Sequence, residues 1–205
     1  FASRLDGDPV HDGARVLLSQ VGGRLAVLFR GLGGDQAVEI KPVAEETSHH
    51  RLSFLRRLGT WRDTTPRASF DGATLRLPES LAIFPAVEAN AALYLWLAAA
   101  ASALQSQPQP DSDDPLQADL AAIATAEAMT EAALQNAPGL RRLHADLAAA
   151  TLLFRRTAPL PPAEAAVEAR IRRALGDDCP LPSLPAKTPR GYRPFRPVPL
   201  WPDLR

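Results

Sequence analysis

The sequence predicts an α+β fold that is mainly helical: a small antiparallel sheet packed on a central buried helix, then a group of three helices and a Pro-rich tail. Three observations carry this expectation. An unbroken apolar run, residues 91–101, sits inside a helix-forming stretch at 86–104. Short strand-like segments with turn signals precede it. Three segments with helical spacing of apolar residues follow it. Composition agrees, because 46 % hydrophobic and 22 % charged residues in a chain of 205 is a globular balance.

Residues 1–12 are polar and turn-like, with Gly7, Asp8 and Pro9. From Ala14 to Leu32 the apolar positions Leu17, Val21, Leu25, Leu28 and Leu32 keep helical spacing, so a helix is expected there. Gly22 and Gly23 interrupt it, each at a cost of up to about 1 kcal/mol, and a strand at 25–29 is the alternative. Gly33-Gly34 should end the helix. Residues 38–43 (VEIKPV) alternate and are β-branched, hence a strand with Pro42 at an edge or end. Residues 51–58 fit a strand or a short helix. Phe70, Asp71-Gly72 and Ala73-Thr74-Leu75-Arg76-Leu77 form a hairpin pattern, because Asp-Gly supplies left-handed turn geometry.

The central helix follows Pro85, which suits a first turn. Eleven consecutive apolar residues fall short of the roughly 20 that a bilayer requires, so a soluble core rather than membrane insertion is expected. Ala98–Ala99–Ala100–Ala101 leave room for close helix neighbours. Residues 105–115, with three prolines and three aspartates, are an exposed connector. Asp114-Pro115-Leu116-Gln117 supplies an N-cap, a first-turn proline and a capping-box glutamine. The helix it starts places Leu116, Leu120, Ile123 and Leu134 on one stripe. A second helix carries Leu140, Leu143, Leu147 and Phe154. A third opens at Pro161-Pro162, aligns Val167, Ile171, Ala174 and Leu175, and closes at Gly176. The domain boundaries are therefore 1–104, 105–115, 116–176 and 177–205. The last of these holds eight prolines and the aromatics Tyr192, Phe195 and Trp201, so it should lie across the domain or dock on a partner.

The 23 basic and 23 acidic residues balance, giving no field for nucleic acid. Arginine far outnumbers lysine, which we read as coding bias. A single cysteine, Cys179, excludes an internal disulfide and fits the cytoplasm. No signal peptide is visible, and a chain opening at Phe1 is expected to be a fragment. The run Arg30-Gly31-Leu32-Gly33-Gly34-Asp35 matches no phosphate-binding pattern. Neither a nucleophile elbow nor an H-E-x-x-H pair occurs. His49 and His50 beside Glu45 and Glu46 could ligate a metal, making a metal-binding or catalytic domain the alternative reading. Adjacent residues on an extended segment point apart, however, and a polar loop is the plainer reading. Glu127 and Glu131 lack the Glu-x-x-His partners of a di-iron bundle. They read as a solvated acidic face. Arg141-Arg142, Arg155-Arg156 and Arg170/Arg172/Arg173 fall on polar helix sides, as solubilising surface or as a docking patch for an acidic partner.

Three stretches together have a more specific likeness: LAVLFRGLGGD with VEIKP (25–42), SHHRL (48–52), and LRLPESLAIFP with the following N and LYLWLAAAAS (75–102). In order and spacing they resemble the group comprising the nitric oxide reductase activation protein NorD and the Rubisco-activation protein CbbO. Tyr192-Arg193-Pro194-Phe195 and Pro197-Val198-Pro199-Leu200-Trp201 are similar to the segment that follows the amino-terminal domain there. The resemblance implies a non-catalytic adaptor with no cofactor. Its partners would be a MoxR-type AAA+ ATPase hexamer and a client enzyme, nitric oxide reductase or Rubisco. Members of the group carry a carboxy-terminal von Willebrand factor A domain with a D-x-S-x-S metal motif. Asp111-Ser112-Asp113-Asp114 does not match that motif, and no such domain fits after Trp201, so the client contact would lie elsewhere. Partner contacts in this chain are assigned to Tyr192, Phe195 and Trp201, since buried aromatics dominate interfaces, and to Arg141 and Arg142. A passive spacer between modules is the remaining alternative.

Overall fold

The computed structural model describes residues 10–43, 67–104, 112–155 and 159–203. Its centre is the helix expected from the apolar run, α2 (Val87–Leu104). By length and composition α2 could cross a membrane. Here its apolar surface is instead covered by α1 (Leu18–Gly31), α3 (Pro115–Asn136) and α4 (Arg141–Phe154). Leu93, Tyr94, Trp96 and all four alanines from 98 to 101 are fully enclosed. The small side chains allow neighbouring backbones near, and the large ones fill the space between them.

Two polar groups on α2 set its position. Asn90 is fully buried, and its Oδ1 accepts the Ile83 and Phe84 N–H groups at 3.0 and 2.9 Å. Its Nδ2 donates to the carbonyls of Ala14 and Phe84, both at 2.8 Å. One amide therefore ties the N-terminal turn, the lead-in loop and α2 together, satisfying main-chain groups that no regular element reaches. The Tyr94 hydroxyl donates to the Pro78 carbonyl at 2.7 Å. Burial, with the Glu79 charge nearby, pushes its phenol above the ordinary range.

The N-terminal region corrects two expectations. Residues 14–17 are not α-helical: a 3-10 turn at Asp12–Ala14 leads into β1 (Val16–Leu17), which pairs antiparallel with β5 (Ser80–Leu81). The helix then starts at Leu18, where Gln20 reaches back to accept the Leu17 N–H, and it runs through Gly22 and Gly23 unbroken. The three-stranded sheet is mixed rather than antiparallel. β3 (Ser69–Phe70) and β4 (Thr74–Leu77) form the expected hairpin, whereas β2 (Glu39–Pro42) lies parallel to β4 in the order β2-β4-β3. A parallel pair needs a long crossover, and more than 30 residues separate these strands. In the hairpin, Asp71 Oδ1 accepts the Ala73 and Thr74 N–H groups at 2.9 and 2.7 Å, and Gly72 takes a φ of 88°. Those bonds, with Arg76 beside them, hold the Asp71 carboxyl down at about 2. The segments 44–66, 105–111 and 1–9 lie outside the described residues, and with them the expected element at 51–58 and most of the connector.

After the connector, α3 starts at its expected N-cap, but Gln117 does not close a capping box, because the Asp114 N–H donates to Ser112 Oγ instead. Asp114 caps α3 by accepting the Leu116 and Gln117 N–H groups, with Pro115 in the first turn. The buried stripe of α3 is Leu116, Asp119, Ala122, Ile123, Ala126, Met129 and Ala133, so Leu120 and Leu134 flank the core. Alanines at the contact let α3 approach α2 more closely than leucines would. Glu127 and Glu131 are exposed, as expected. On α4 the buried residues are Leu147, Ala148 and Thr151, while Leu153 faces outward. α5 (Pro162–Ala174) packs on α3 and buries Ala163, Ala166, Val167 and Ile171.

The tail lies across the domain. It has no regular element, yet Val198, Leu200 and Trp201 are buried in the core. Trp96 Nε1 donates to the Leu200 carbonyl at 2.9 Å, and the Asp203 N–H donates to the Ala68 carbonyl at 2.7 Å. Prolines remove main-chain donors, so such a strap depends on side-chain anchors and apolar burial rather than on a ladder.

Candidate functional site

The strap returns over α5, α3 and α2, and each helix holds it with a polar side chain or an indole. Asp119 is buried on α3, and its Oδ2 accepts the Tyr192 hydroxyl at 2.6 Å and the Phe195 N–H at 2.9 Å. The capping carboxylate of Asp114 also accepts the Thr188 hydroxyl, and its pKa is lowered chiefly by that bond. On α5, Glu164 Oε1 accepts the Arg193 N–H at 2.9 Å. Phe195 and Trp201 meet edge to face, ring centres 6.2 Å apart.

The strap residues assigned to partner contact therefore already have internal neighbours. Tyr192 and Phe195 are half-buried against the core, and Trp201 is only 6 % exposed. Arg141 and Arg142 are different. They open α4 at its positive end with no acidic residue in that turn, and the Arg142 side chain is 94 % exposed, 3.9 Å from Asp146. The strap meets α4 at Arg155, through the Arg196 and Pro197 carbonyls, and its Leu200 carbonyl accepts from Trp96, whose ring lies against His144 one turn from Arg141.

Between the C-terminal end of α4, α5 and the strap lies a cleft of about 680 Å³. Phe154, Leu160, Val167 and Phe195 give it apolar walls, and Arg155, Arg193, Arg196, Glu164 and Glu168 give it charge. Arg155 does not lie on a polar helix face as expected. Its side chain is 8 % exposed and makes a bidentate pair with Glu168, at 2.7 Å from Nε and 2.6 Å from Nη2. It also points Nη1 at the Arg196 and Pro197 carbonyls, each 3.4 Å away. Of the other arginines, Arg170 donates to the Ala166 carbonyl and Arg172 pairs with Asp177. Arg156 lies outside the described residues. The Cys179 thiol donates to the Ala169 carbonyl at 3.3 Å.

The His144 ring packs against Trp96 with ring centres 4.3 Å apart and planes tilted by 47°, and burial lowers its pKa. His49, His50 and their neighbouring glutamates lie outside the described residues. Among the described residues no group of three potential metal ligands converges. Sequence reasoning missed the Arg155–Glu168 pair and the Asp119 anchor. Glu164 and Glu168 one turn apart on α5 were visible, but nothing local indicated which segment would face them.

The chain is 40 % identical over 202 residues to Protein NorD of Brucella suis, covering 96 % of this chain and 32 % of that protein. Protein NorD of Stutzerimonas stutzeri is 31 % identical over 92 % of the chain and 28 % of its own length. An uncharacterized protein of Pseudomonas aeruginosa is 33 % identical over 93 % of the chain and 29 % of its own length. The chain thus spans about a third of the length of the curated relatives it matches. No family profile matches it, and no solved structure matches it.

Proposed function

The chain is a domain of the NorD group, and from that premise we propose that it is a non-catalytic, cytoplasmic adaptor domain. In this reading it couples a MoxR-type AAA+ ATPase to the activation or remodelling of a client enzyme, such as nitric oxide reductase. The observation that carries the proposal is the 40 % identity to NorD along 96 % of the chain. Physical support comes from the strap. A domain that transmits the work of an ATPase must not yield internally, and here the closing segment is tied to Asp114, Asp119, Glu164 and Trp96. Arg141 and Arg142 offer exposed positive charge on a rigid helix end, suited to an acidic patch of a partner.

The test is to incubate the chain with a MoxR-type ATPase of the same organism and measure association and ATP turnover. Saturable binding, or a change in turnover, supports the adaptor role. Neither effect at micromolar concentrations of both proteins removes it.

A further inference from the structure

We propose that the outward edge of the strap, formed by Lys187, Arg190, Arg193 and Arg196, is a docking ridge for an acidic, extended segment of a partner protein. The ridge belongs to the strap rather than to the Arg141 end of α4, and it does not require the partner to be the ATPase.

The first observation is where the charge sits. Residues 179–202 contain these four cations and no aspartate or glutamate. The whole chain balances 23 basic against 23 acidic residues, so the rest of it is four charges negative. A surface kept charged only for solubility has no need of a single sign in one place.

The second is what the strap does with its other groups. Tyr192 and Phe195 pack inward, and the carboxylates that hold the strap do so through its uncharged donors. Asp114 accepts the Thr188 hydroxyl, Asp119 the Tyr192 hydroxyl and the Phe195 N–H, and Glu164 the Arg193 N–H. All four cationic residues are exposed. Among the described residues no carboxylate pairs with the side chain of Lys187, Arg190 or Arg193.

The third is order. A cation on a loose tail gives up its freedom on binding, whereas these ride on a segment already fixed to α3, α5 and α2. Gly191, with a φ of 81°, completes a turn in which the Tyr192 N–H donates to the Pro189 carbonyl at 3.2 Å, so Arg190 stands at its corner. Consecutive members of the ridge are three residues apart, which keeps their Cα atoms within about 11 Å of each other. That is close to the screening length of about 8 Å at physiological ionic strength, so neighbouring charges act together on one ligand.

An acidic peptide suits the ridge better than a nucleic acid or a membrane. Single strands are held by stacking bases on aromatic rings, and Tyr192, Phe195 and Trp201 are turned into the domain. Stable binding to an anionic membrane adds apolar insertion to basic charge, and between the cations only Pro189 and Gly191 are exposed. Arginine forks bond carboxylates two bonds at a time.

The experiment follows the fluorescence anisotropy of a labelled Asp-Glu repeat peptide as the full chain is added at low salt, with an Asn-Gln repeat peptide as the neutral control. The acidic peptide should bind saturably, about tenfold or more tighter than the neutral one, and weaken as salt is raised. Arg190→Gln with Arg193→Gln should weaken binding about fivefold or more. Arg24→Gln with Arg30→Gln, which removes the same charge from the exposed side of α1, should leave it unchanged. Absence of saturable binding, equal binding of both peptides, no loss in the strap variant, or equal losses in the two variants would each overturn the proposal. So would tighter binding of a short oligothymidylate or of phosphatidylglycerol vesicles through the same arginines, since the ridge would then serve phosphates. The substituted residues are all exposed, so both variants should fold as the unaltered chain does, and the two-peptide comparison needs neither.

Discussion

Trp96 on α2 donates its indole N–H to the carbonyl oxygen of Leu200, 104 residues further along the chain. The bond joins the most enclosed helix to the strap, and Leu200 itself is fully buried. Replacing Trp96 by phenylalanine keeps an aromatic ring but removes the donor and leaves that carbonyl without it. We expect a loss of about 1–3 kcal/mol in urea unfolding, and faster limited proteolysis within residues 185–199. Unchanged stability and cleavage would mean that the strap is held by apolar burial alone.

Truncation after Arg190 should destabilise the domain rather than merely shorten it. Val198, Leu200 and Trp201 would leave the core, each at about 1.5–3 kcal/mol. Calorimetry of the shortened chain should show a markedly lower midpoint or no cooperative transition. Testing partner contacts by cutting the tail therefore confuses binding with folding. Arg141→Glu with Arg142→Glu is the cleaner probe: stability should change by no more than about 0.5 kcal/mol, while association with the ATPase weakens.

Asn90→Ala should be among the most damaging single substitutions. It strips partners from the Ile83 and Phe84 N–H groups and from the Ala14 and Phe84 carbonyls, all of them around a fully buried side chain. A loss of about 3–5 kcal/mol is expected from denaturant midpoints. A cost below 1 kcal/mol would show that water can take the place of the amide.

Glycines on and after α1 should divide into two classes. A Cβ on Gly34 would stand 2.2 Å from Cε1 of the buried Phe29, so Gly34→Ala should cost about 1–3 kcal/mol. At Gly23 a Cβ meets nothing within 4 Å, and the residue is inside a continuous helix. Gly23→Ala should stabilise by about 0.5–1 kcal/mol. Thermal melts of the two variants should move in opposite directions.

Acid should weaken the fold through His144. Its pKa in the folded chain is below the ordinary 6.5 because burial against Trp96 disfavours the charged imidazolium. The unfolded chain then takes up this proton first. Stability is unaffected well above pH 6.5, falls as the pH drops through that value, and levels off once the folded state is protonated too. His144→Phe should flatten this part of the profile, and a slope unchanged in that variant would assign it to another group.

Much of the architecture was written locally. The apolar run of α2 and the Asp114-Pro115 cap are signals of adjacent residues, and each element forms where they place it. The Asp71-Gly72 turn predicted its hairpin for the same reason. What could not be read was pairing at a distance. Nothing in VEIKPV says that its neighbour is β4 and that the pair runs parallel, and the two-residue strands β1 and β5 are too short for periodicity to register. The strap was half legible. Its aromatics and prolines marked it as more than a loose end, but only the folded groove decides that Trp201 goes inward while Arg193 and Arg196 stay out. Arg155 was misjudged because its partner Glu168 sits on the next helix.

The long reach from Trp96 to Leu200 also bears on how the domain is made. A nascent chain leaving the ribosome exposes α2 about a hundred residues before the strap that seals it has been synthesised. For that interval a helix with eleven consecutive apolar residues has part of its flank bare. Cells making this domain must keep that flank from aggregating until synthesis has passed Trp201.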